Sequence, residues 1–536
     1  MSLFLTVGAM AQMPKPILEL TADQIGRDYP YELSEDDANT VFALKDALTV
    51  AVKINTPESL SGRKSLFATS DPTQVANTSA KGINSYYVGY GLYDRNLAYL
   101  ASWVAGDRFS TRNNVLTLSK NDVMVVYVIN KEENTYKMYV NGVIPESGSY
   151  VNANPTGFMN GYEIATPGMV KEDYENAKIY IGGAKNKSGV SEVFNGVITN
   201  VKVYDRALTD NEVKHIDFVG NYYRLQGISG NYIDASSIYN NATAKVGQMS
   251  MKSDANCNLA GTIFYFNEER NLLNYATGTY TRDTREIGAI NDNTKSIWTI
   301  DVSSRDSQKF VLTDTNTTGS KNLHDNSGNR ADKCSSVCGN RHDFSIVKVT
   351  SLPVTITAAK YATFYAPVAV EVPEGVTAHT VTINGKWATL SEALEVIPAN
   401  TGVVLYSETA ATYNFAITDD VEAIEGNALR GSAAATYYTA AGTYYALGLV
   451  DGEVGFYRDE FKNNHFQNNS HKAYLYVEGT QNAASYSFRF QDGTTAIENV
   501  EVENEVKGIY DLTGRRVEAI TAPGIYIVGG KKVLVK

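Results

Sequence analysis

Phe194-Asn-Gly-Val-Ile-Thr-Asn-Val-Lys-Val-Tyr-Asp-Arg-Ala-Leu-Thr-Asp-Asn-Glu-Val-Lys-His-Ile216 reads as a strand, a corner and a short capped helix. Val197, Asn200, Lys202 and Asp205 interleave with Ile198, Val201, Val203 and Tyr204, so one face is largely apolar and the other partly polar. The chain turns at Asp205-Arg206. Thr209 and Glu212 then stand at capping-box spacing, where a Thr hydroxyl takes the backbone N–H three residues on and the Glu reaches back. Val213 and Ile216 give the helix one apolar edge. Asp205 is placed to bond nearby backbone amides, as turn residues do, so Tyr204-Asp205-Arg206 is expected to hold a fold shut and not to contact a ligand.

Upstream, the same texture repeats. Leu48-Thr-Val-Ala-Val-Lys-Ile54, Ser65-Leu-Phe-Ala-Thr69, Tyr86-Tyr-Val-Gly-Tyr-Gly91 and Leu97-Ala-Tyr-Leu-Ala-Ser-Trp103 are strand-like. Val123-Met-Val-Val-Tyr-Val-Ile129 is a continuous apolar run, which predicts a strand buried on both faces. Tyr136-Lys-Met-Tyr-Val140 runs into Asn141-Gly142, a strong hairpin signal. Many short strands between Gly, Asn and Asp turns predict a β-sandwich of roughly 200 residues.

Ser65-Leu-Phe67, Tyr136-Lys-Met-Tyr-Val-Asn-Gly142, Ile179-Tyr-Ile-Gly-Gly183 and Asn200-Val-Lys-Val-Tyr-Asp-Arg-Ala-Leu208 follow the order found in laminin-G and concanavalin-like jelly rolls. In particular, residues 25 to 218 resemble the N-terminal lectin domain of bacterial sialidases. Where such domains bind sialic acid, the resemblance implies an arginine facing a carboxylate, helped by aromatic and amide groups. A guanidinium suits that task because it offers a planar two-point donor. The candidate arginines are Arg63, Arg95, Arg108 and Arg112, and the contact residues expected in this module are Tyr90, Trp103 and Arg112. Calcium, common near the rims of this fold family, is the one ion the resemblance admits; no other cofactor is expected.

The texture changes near Asn221. Tyr223-Arg-Leu-Gln-Gly-Ile-Ser-Gly-Asn-Tyr-Ile-Asp-Ala235, Phe264-Tyr-Phe-Asn-Glu-Glu-Arg-Asn-Leu-Leu-Asn-Tyr275 and Phe310-Val-Leu-Thr-Asp-Thr-Asn-Thr-Thr-Gly-Ser-Lys-Asn-Leu-His324 share one pattern: aromatic and aliphatic residues, a polar turn, then Asn and an aliphatic. Three units sharing one core are the signature of an internal repeat. Residues 221 to 350 resemble a β-trefoil of the ricin-B type, with Gln308-Lys-Phe310 as a degenerate form of that family's Gln-x-Trp signature. Asp234, Tyr239 and Asn241 are the sugar contacts this implies. Residues 351 to 492, opening on Leu352-Pro-Val-Thr-Ile356, form a further all-β module that resembles an accessory domain of exported proteins of Gram-negative anaerobes. An acidic linker, 493 to 507, leads to 508 to 536. There Tyr510-Asp-Leu-Thr-Gly-Arg515 and Gly524-Ile-Tyr-Ile-Val528 resemble the C-terminal sorting domain of type IX secretion. At the other end, Leu3 to Ala11 resembles the apolar part of a signal peptide, with Ala9-Met-Ala11 as cleavage site and no basic region before it. Residues 1 to 11 are therefore expected to be a truncated signal peptide. The protein is expected to be secreted or attached to the outer cell surface of a Gram-negative bacterium.

The totals fit this reading. A chain of 536 residues is too long for one core. A net charge of −12 argues against a nucleic-acid partner, because that affinity comes from neutralising phosphates. No run approaches the roughly 18 apolar residues of a membrane span. Tyrosine, at 36 copies, is twice as common as phenylalanine at 18; sugar faces stack on such rings, though strand propensity also favours them. Of the three cysteines, Cys334 and Cys338 can close a small loop, or one of them can bridge Cys257; one thiol is left free either way. His342 after Cys338 raises zinc, which needs four ligands that the spacing does not supply.

No catalytic pattern emerges. Ser304-Arg-Asp306 begins a sialidase Asp-box, but Gln308 stands where glycine belongs and Val311 where the aromatic does. Glu501-Val-Glu-Asn-Glu505 lacks the middle Asp of the paired-acid glucanase motif, and the six histidines do not pair at ligand spacing. The expectation is an all-β, multidomain, non-catalytic carbohydrate-binding protein for sialylated or other glycans. A sialidase-type glycoside hydrolase and an adhesin for host protein are the alternatives.

Overall fold

The computed structural model describes residues 14–74, 88–93, 97–104, 107–114, 120–133, 135–142, 156–158, 166–239, 248–282, 294–306, 308–316, 321–334, 339–418, 421–439, 442–450, 452–461, 464–478 and 483–490, and short strands after 508. For 97–104, 107–114, 156–158 and the strands after 508 it describes the backbone alone. The described residues are almost entirely strands and turns, with four short helices, so the protein is all-β with several sheets. The expected signal segment, 1 to 11, lies outside them. The chain divides into two compact units. One is Met1–Pro353 with Ile417–Asp419 and Ala433–Thr436; the other is Val354–Ala416, Asp420–Ser432 and Tyr437–Lys536.

The first unit begins with two six-stranded antiparallel sheets. One runs in the order Leu18–Thr21, Val197–Tyr204, Ala47–Asn55, Val123–Asn130, Thr135–Val140, Thr156–Phe158. The other runs Tyr31–Glu32, Lys178–Ile181, Lys64–Ser70, Val88–Tyr93, Leu97–Val104, Asp107–Asn114. Val50, Val52, Val125, Tyr127, Val201 and Val203 from the first sheet meet Leu66, Phe67, Tyr90, Leu92, Ile179 and Ile181 from the second in one core. Each such side chain, fully buried, contributes about 1.5–3 kcal/mol.

The run Val123 to Ile129 is apolar throughout because both faces are covered. Val125, Tyr127 and Ile129 look into the sandwich core. Met124, Val126 and Val128 pack under Tyr139, Tyr204, Leu208, Val213 and Ile216, which come from the neighbouring strands, the corner that follows them, and the exit helix Asp210–His215 with its C-cap Ile216. The capping box forms as expected: Glu212 N–H donates to Thr209 Oγ1 at 3.3 Å, and Thr209 N–H donates to Glu212 Oε2 at 2.8 Å. Arg206 adds a two-point bond to Glu212 (Nη1 to Oε2 3.1 Å, Nη2 to Oε1 2.5 Å). Burial raises the Glu212 carboxyl, but the bonds from Arg206 and Thr209 outweigh it and hold it below its ordinary value.

The corner is pinned differently from the sequence expectation. Asp205 is exposed and its side chain makes no bond to described residues. Thr49, fully buried on the neighbouring strand, pins it instead: its hydroxyl donates to Arg206 O at 2.8 Å and accepts from Leu208 N–H at 3.0 Å. A threonine inside a valine-rich strand gives no hint in sequence that it serves a turn far along the chain. Asn141-Gly142 does turn, with φ of 50° and 75°. A side chain at Gly142 would place its Cβ 2.9 Å from Lys214 Cα, so only glycine lets the exit helix settle there.

Residues 221–349 form a closed ring of strands. Asn221–Gln226 pairs with both Ile263–Phe266 and Ser345–Lys348. Ile263–Phe266 pairs with Leu272–Asn274, and Trp298 N–H donates to Arg270 O at 2.9 Å next in the ring. Trp298–Val302 pairs with Phe310–Asp314, and Phe310 exchanges both backbone bonds with Phe344, at 2.8 and 2.9 Å. Hairpins Tyr232–Ile238/Met249–Lys252 and Lys321–Asn326/Arg330–Cys334 lie outside the ring, joined at Ser250–Arg330. Phe264, Phe266, Trp298 and Phe344 are fully buried at its centre. Phe264, read from sequence as opening the second repeat, pairs back on Tyr223 and so closes the first. An aromatic core strand carries the same pattern whether it begins or ends a unit.

In the second unit, Val381–Asn384, Trp387–Leu390, Ser485–Phe490, Glu453–Arg458, Thr443–Val450, Lys472–Val477 and Leu429–Ser432 form a seven-stranded sheet in that order. Tyr445, Phe456, Leu475 and Phe488 fill one face, and Tyr444, Phe466 and Tyr474 cluster on the other. Ile509–Asp511, Arg516–Val517, Gly524–Val528 and Lys531–Val535 make a four-stranded sheet.

Candidate functional site

The six residues expected to contact sugar fare differently. Tyr90 is 1% exposed. Its ring lies between Phe67 and Tyr127, at centroid distances of 5.8 and 5.3 Å, with no face left for a ligand. Alternating aromatics on a strand do not reveal which side is the core, and Tyr90 is on that side. Trp103 and Arg112 lie on adjacent strands, paired by backbone with Arg108 and Tyr99 respectively; their side chains, like that of Arg108, lie outside the described residues. Arg95 and Asn241 also fall outside them. Arg63 is half-buried just before Lys64–Ser70. Asp234 is 2% exposed and fully used by its own fold. It accepts from Ser236 N–H at 3.0 Å and Ser236 Oγ at 2.6 Å, and from Asn258 N–H at 3.0 Å.

Tyr239 is the expectation that gains partners. Its N–H closes a hairpin on Gln248 O at 2.8 Å, leaving the ring half-exposed. The pairing of Ser250 with Arg330 brings in the second hairpin, and the Arg330 guanidinium stands 5.4 Å from the Tyr239 ring centre. Arg330 Nε donates to Asp332 Oδ2 at 3.4 Å, and Asn326 Nδ2 donates to the same oxygen at 3.0 Å. Behind them His324 Nδ1 meets Asp332 Oδ1 at 2.8 Å. The supporting loop is fixed: Asp325 accepts from Gly328 N–H at 2.7 Å and from Ser229 N–H at 2.9 Å, and Asn231 Nδ2 donates to Gly328 O at 2.7 Å.

This group combines an aromatic face, a guanidinium and an amide, the last two held in place by the buried Asp332 carboxylate. The cation over the ring contributes about 0.5–1 kcal/mol at such a half-exposed place. The terminal nitrogens of Arg330 make no bond among the described residues, so the fork is open to a planar acceptor such as a carboxylate. Arg330, Asn326 and Asp332 carry no signal in the sequence because they lie on another hairpin from Tyr239, brought close only by the ring of strands.

The geometry also bears on metal and catalytic chemistry. Among the described residues no three or more His, Cys, Asp or Glu side chains are grouped to hold a metal ion. Cys334 is disulfide-bonded, Cys257 is a free thiol, and Cys338 lies outside the described residues. Sialidases use a tyrosine nucleophile, which must ionise readily. The Tyr406 hydroxyl donates to Glu408, and that bond pushes Tyr406 up to about 12. Tyr139 is raised by burial and then by its 2.8 Å bond to Asp210. Both shifts run against nucleophilic use. Asp306, in the Asp-box fragment, serves a turn by accepting Gln308 N–H at 2.9 Å. Among the described residues no helix is long and apolar enough to cross a membrane.

No protein-family model matches the chain, and no curated protein does. Solved structures similar to it include the Ruminococcus gnavus IT-sialidase CBM40, 19% identical over 37% of this chain and 97% of that one, with a TM-score of 0.29. The same module bound to α2,3-sialyllactose is 17% identical over 38% and 98%, with a TM-score of 0.28. A point mutant of the NanB sialidase of Streptococcus pneumoniae is 14% identical over 88% of this chain and 65% of that one, with a TM-score of 0.28. These are distant likenesses.

Proposed function

We propose that this chain is a non-catalytic, carbohydrate-binding protein that recognises sialylated or other acidic glycans. In this reading a lectin-type jelly roll is followed by a β-trefoil, which the six-strand ring and its outer hairpins support. The convergence of Tyr239, Arg330 and Asn326, the last two held by the buried Asp332, carries the functional part: the ring stacks on a sugar face, the amide bonds hydroxyls, and the guanidinium meets an acidic group. Shallow sites of this kind are weak singly, so two modules in tandem raise avidity. Export to the cell surface belongs to the same proposal and rests on the residues at the two ends of the chain.

A glycan array with the intact chain tests it. Saturable binding to acidic glycans, lost in Tyr239→Ala and reduced in Arg330→Met, is the expected result. Absence of binding to every glycan, alongside saturable binding to a host protein, overturns it in favour of an adhesin. Turnover of a fluorogenic sialoside overturns the non-catalytic part.

A further inference from the structure

A cleft of about 310 Å³ lies within the first unit, where the outer face of the sandwich meets the ring of strands. It shares no residue with the Tyr239 group. Phe218 and Phe310 form one wall, edge to face at 5.5 Å, with Tyr223 tilted against Phe218 at 5.8 Å. Tyr223 is fixed by donating its hydroxyl to Asp217 O at 2.9 Å. Three lysines also line the cleft, in different states. Lys53 is held between Asp217 Oδ2 at 3.3 Å and Asp122 Oδ1 at 3.6 Å. Lys214 bonds Asp301 Oδ1 at 2.6 Å. Lys348 also lines the cleft, and its side chain makes no hydrogen bond or ion pair among the described residues.

Lys348 comes from the last strand of the ring and is solvent-exposed at the rim of the cleft. Although the side chain is exposed overall, partial desolvation of its ammonium against the cleft and the like charge of Lys53 lower it from the ordinary lysine range, against the opposing pull of Asp217 and Asp122. An anion arriving beside it relieves that cost. Asp122 and Asp217 are both in contact with Lys53, and Lys214 is paired with Asp301, so Lys348 is the lining lysine whose side chain makes no ion pair among the described residues. The volume suits a single sugar-sized ligand. An aromatic wall faces the apolar side of a pyranose, and the carboxylates accept from its hydroxyls.

We propose that this cleft is a second ligand site, specific for the carboxylate-bearing ring of an acidic sugar. Lys348 meets the carboxylate, Phe218 and Phe310 face the ring, and Asp122 and Asp217 accept from hydroxyl groups.

Ligand-observed NMR with the intact chain, titrated with glucuronic acid and separately with glucose, tests this. The parallel variants are Lys348→Met, which keeps the stem and removes the charge, Lys348→Arg, and Tyr239→Ala. The expected result is saturable glucuronate binding, at least tenfold tighter than glucose. That binding weakens about tenfold in Lys348→Met, recovers in Lys348→Arg and is unchanged in Tyr239→Ala. Equal affinity for the two sugars, or a Lys348→Met variant that binds glucuronate as the parent does, overturns the inference. Loss of glucuronate binding in Tyr239→Ala alone assigns the ligand to the other surface and also overturns it. Array binding that depends on Tyr239 stands or falls separately, so failure of the cleft is distinguishable from failure of the lectin reading.

Discussion

His215 ends the exit helix and is fully buried. Its Nδ1 lies 2.5 Å from Asn211 O, and Ile300 N–H reaches its Nε2 at 3.1 Å. Since Nε2 accepts, the proton sits on Nδ1 and the ring must be neutral. Burial pushes this histidine down to about 4, with the bond to Asn211 opposing. The unfolded chain takes up the proton near pH 6.5, before the folded one does. The stability His215 confers is therefore complete above about pH 6.5 and is lost as pH falls toward 4. Between pH 7 and pH 5 the loss is about 2 kcal/mol. Replacing the ring with leucine keeps the apolar volume but leaves the Ile300 N–H without its acceptor, at about 1–3 kcal/mol at pH 7. Native-state hydrogen exchange of peptides spanning Trp298–Val302, over a denaturant series at both pH values, measures both effects. His342 in the same unit is also lowered by burial, so the informative quantity is the difference between parent and His215→Leu. The parent should lose about 2 kcal/mol more than the variant on going from pH 7 to pH 5. An unchanged pH response in His215→Leu, or no loss at pH 7, refutes the argument.

Two further tests address the interior and the thiols. Lys333 is 3% exposed, bonds Asp314, Ser296 Oγ at 2.8 Å and Arg282 O at 2.6 Å, and lies 5.0 Å from the Trp298 ring centre. Lys333→Met strands the fully buried Asp314 carboxylate and should cost about 3–5 kcal/mol in thermal or denaturant unfolding, with Asp314→Asn in the same chain recovering part of it; no recovery refutes the pairing argument. Thiol titration of the native, unreduced protein should count one reactive cysteine, Cys257, and a Cys257→Ser variant should count none.

Much of the scaffold was legible because it is written in local patterns. The Thr209–Glu212 box, the Asn141-Gly142 turn and the doubly buried run from Val123 depend on neighbours in sequence. Contact residues depend on which face of a strand is covered and on which hairpins meet. Tyr90 and Asp234 have the right chemistry for sugar contacts but face inward, whereas Tyr239 faces outward and acquires Arg330 from another hairpin. The Lys348 cleft has no sequence signature, since its walls come from the sandwich, its exit helix and the ring of strands.

The exit helix has a further consequence for inheritance and engineering. Val213 and Ile216 roof the sandwich, while Lys214 and His215 bond to the strand Trp298–Val302. A cut just after residue 208 uncovers Met124, Val126 and Val128. A cut just after 218 leaves His215 without the amide it caps. The first module is therefore not a portable cassette: recombination near residue 218 is penalised on both sides. The two folds are expected to be passed on as a pair.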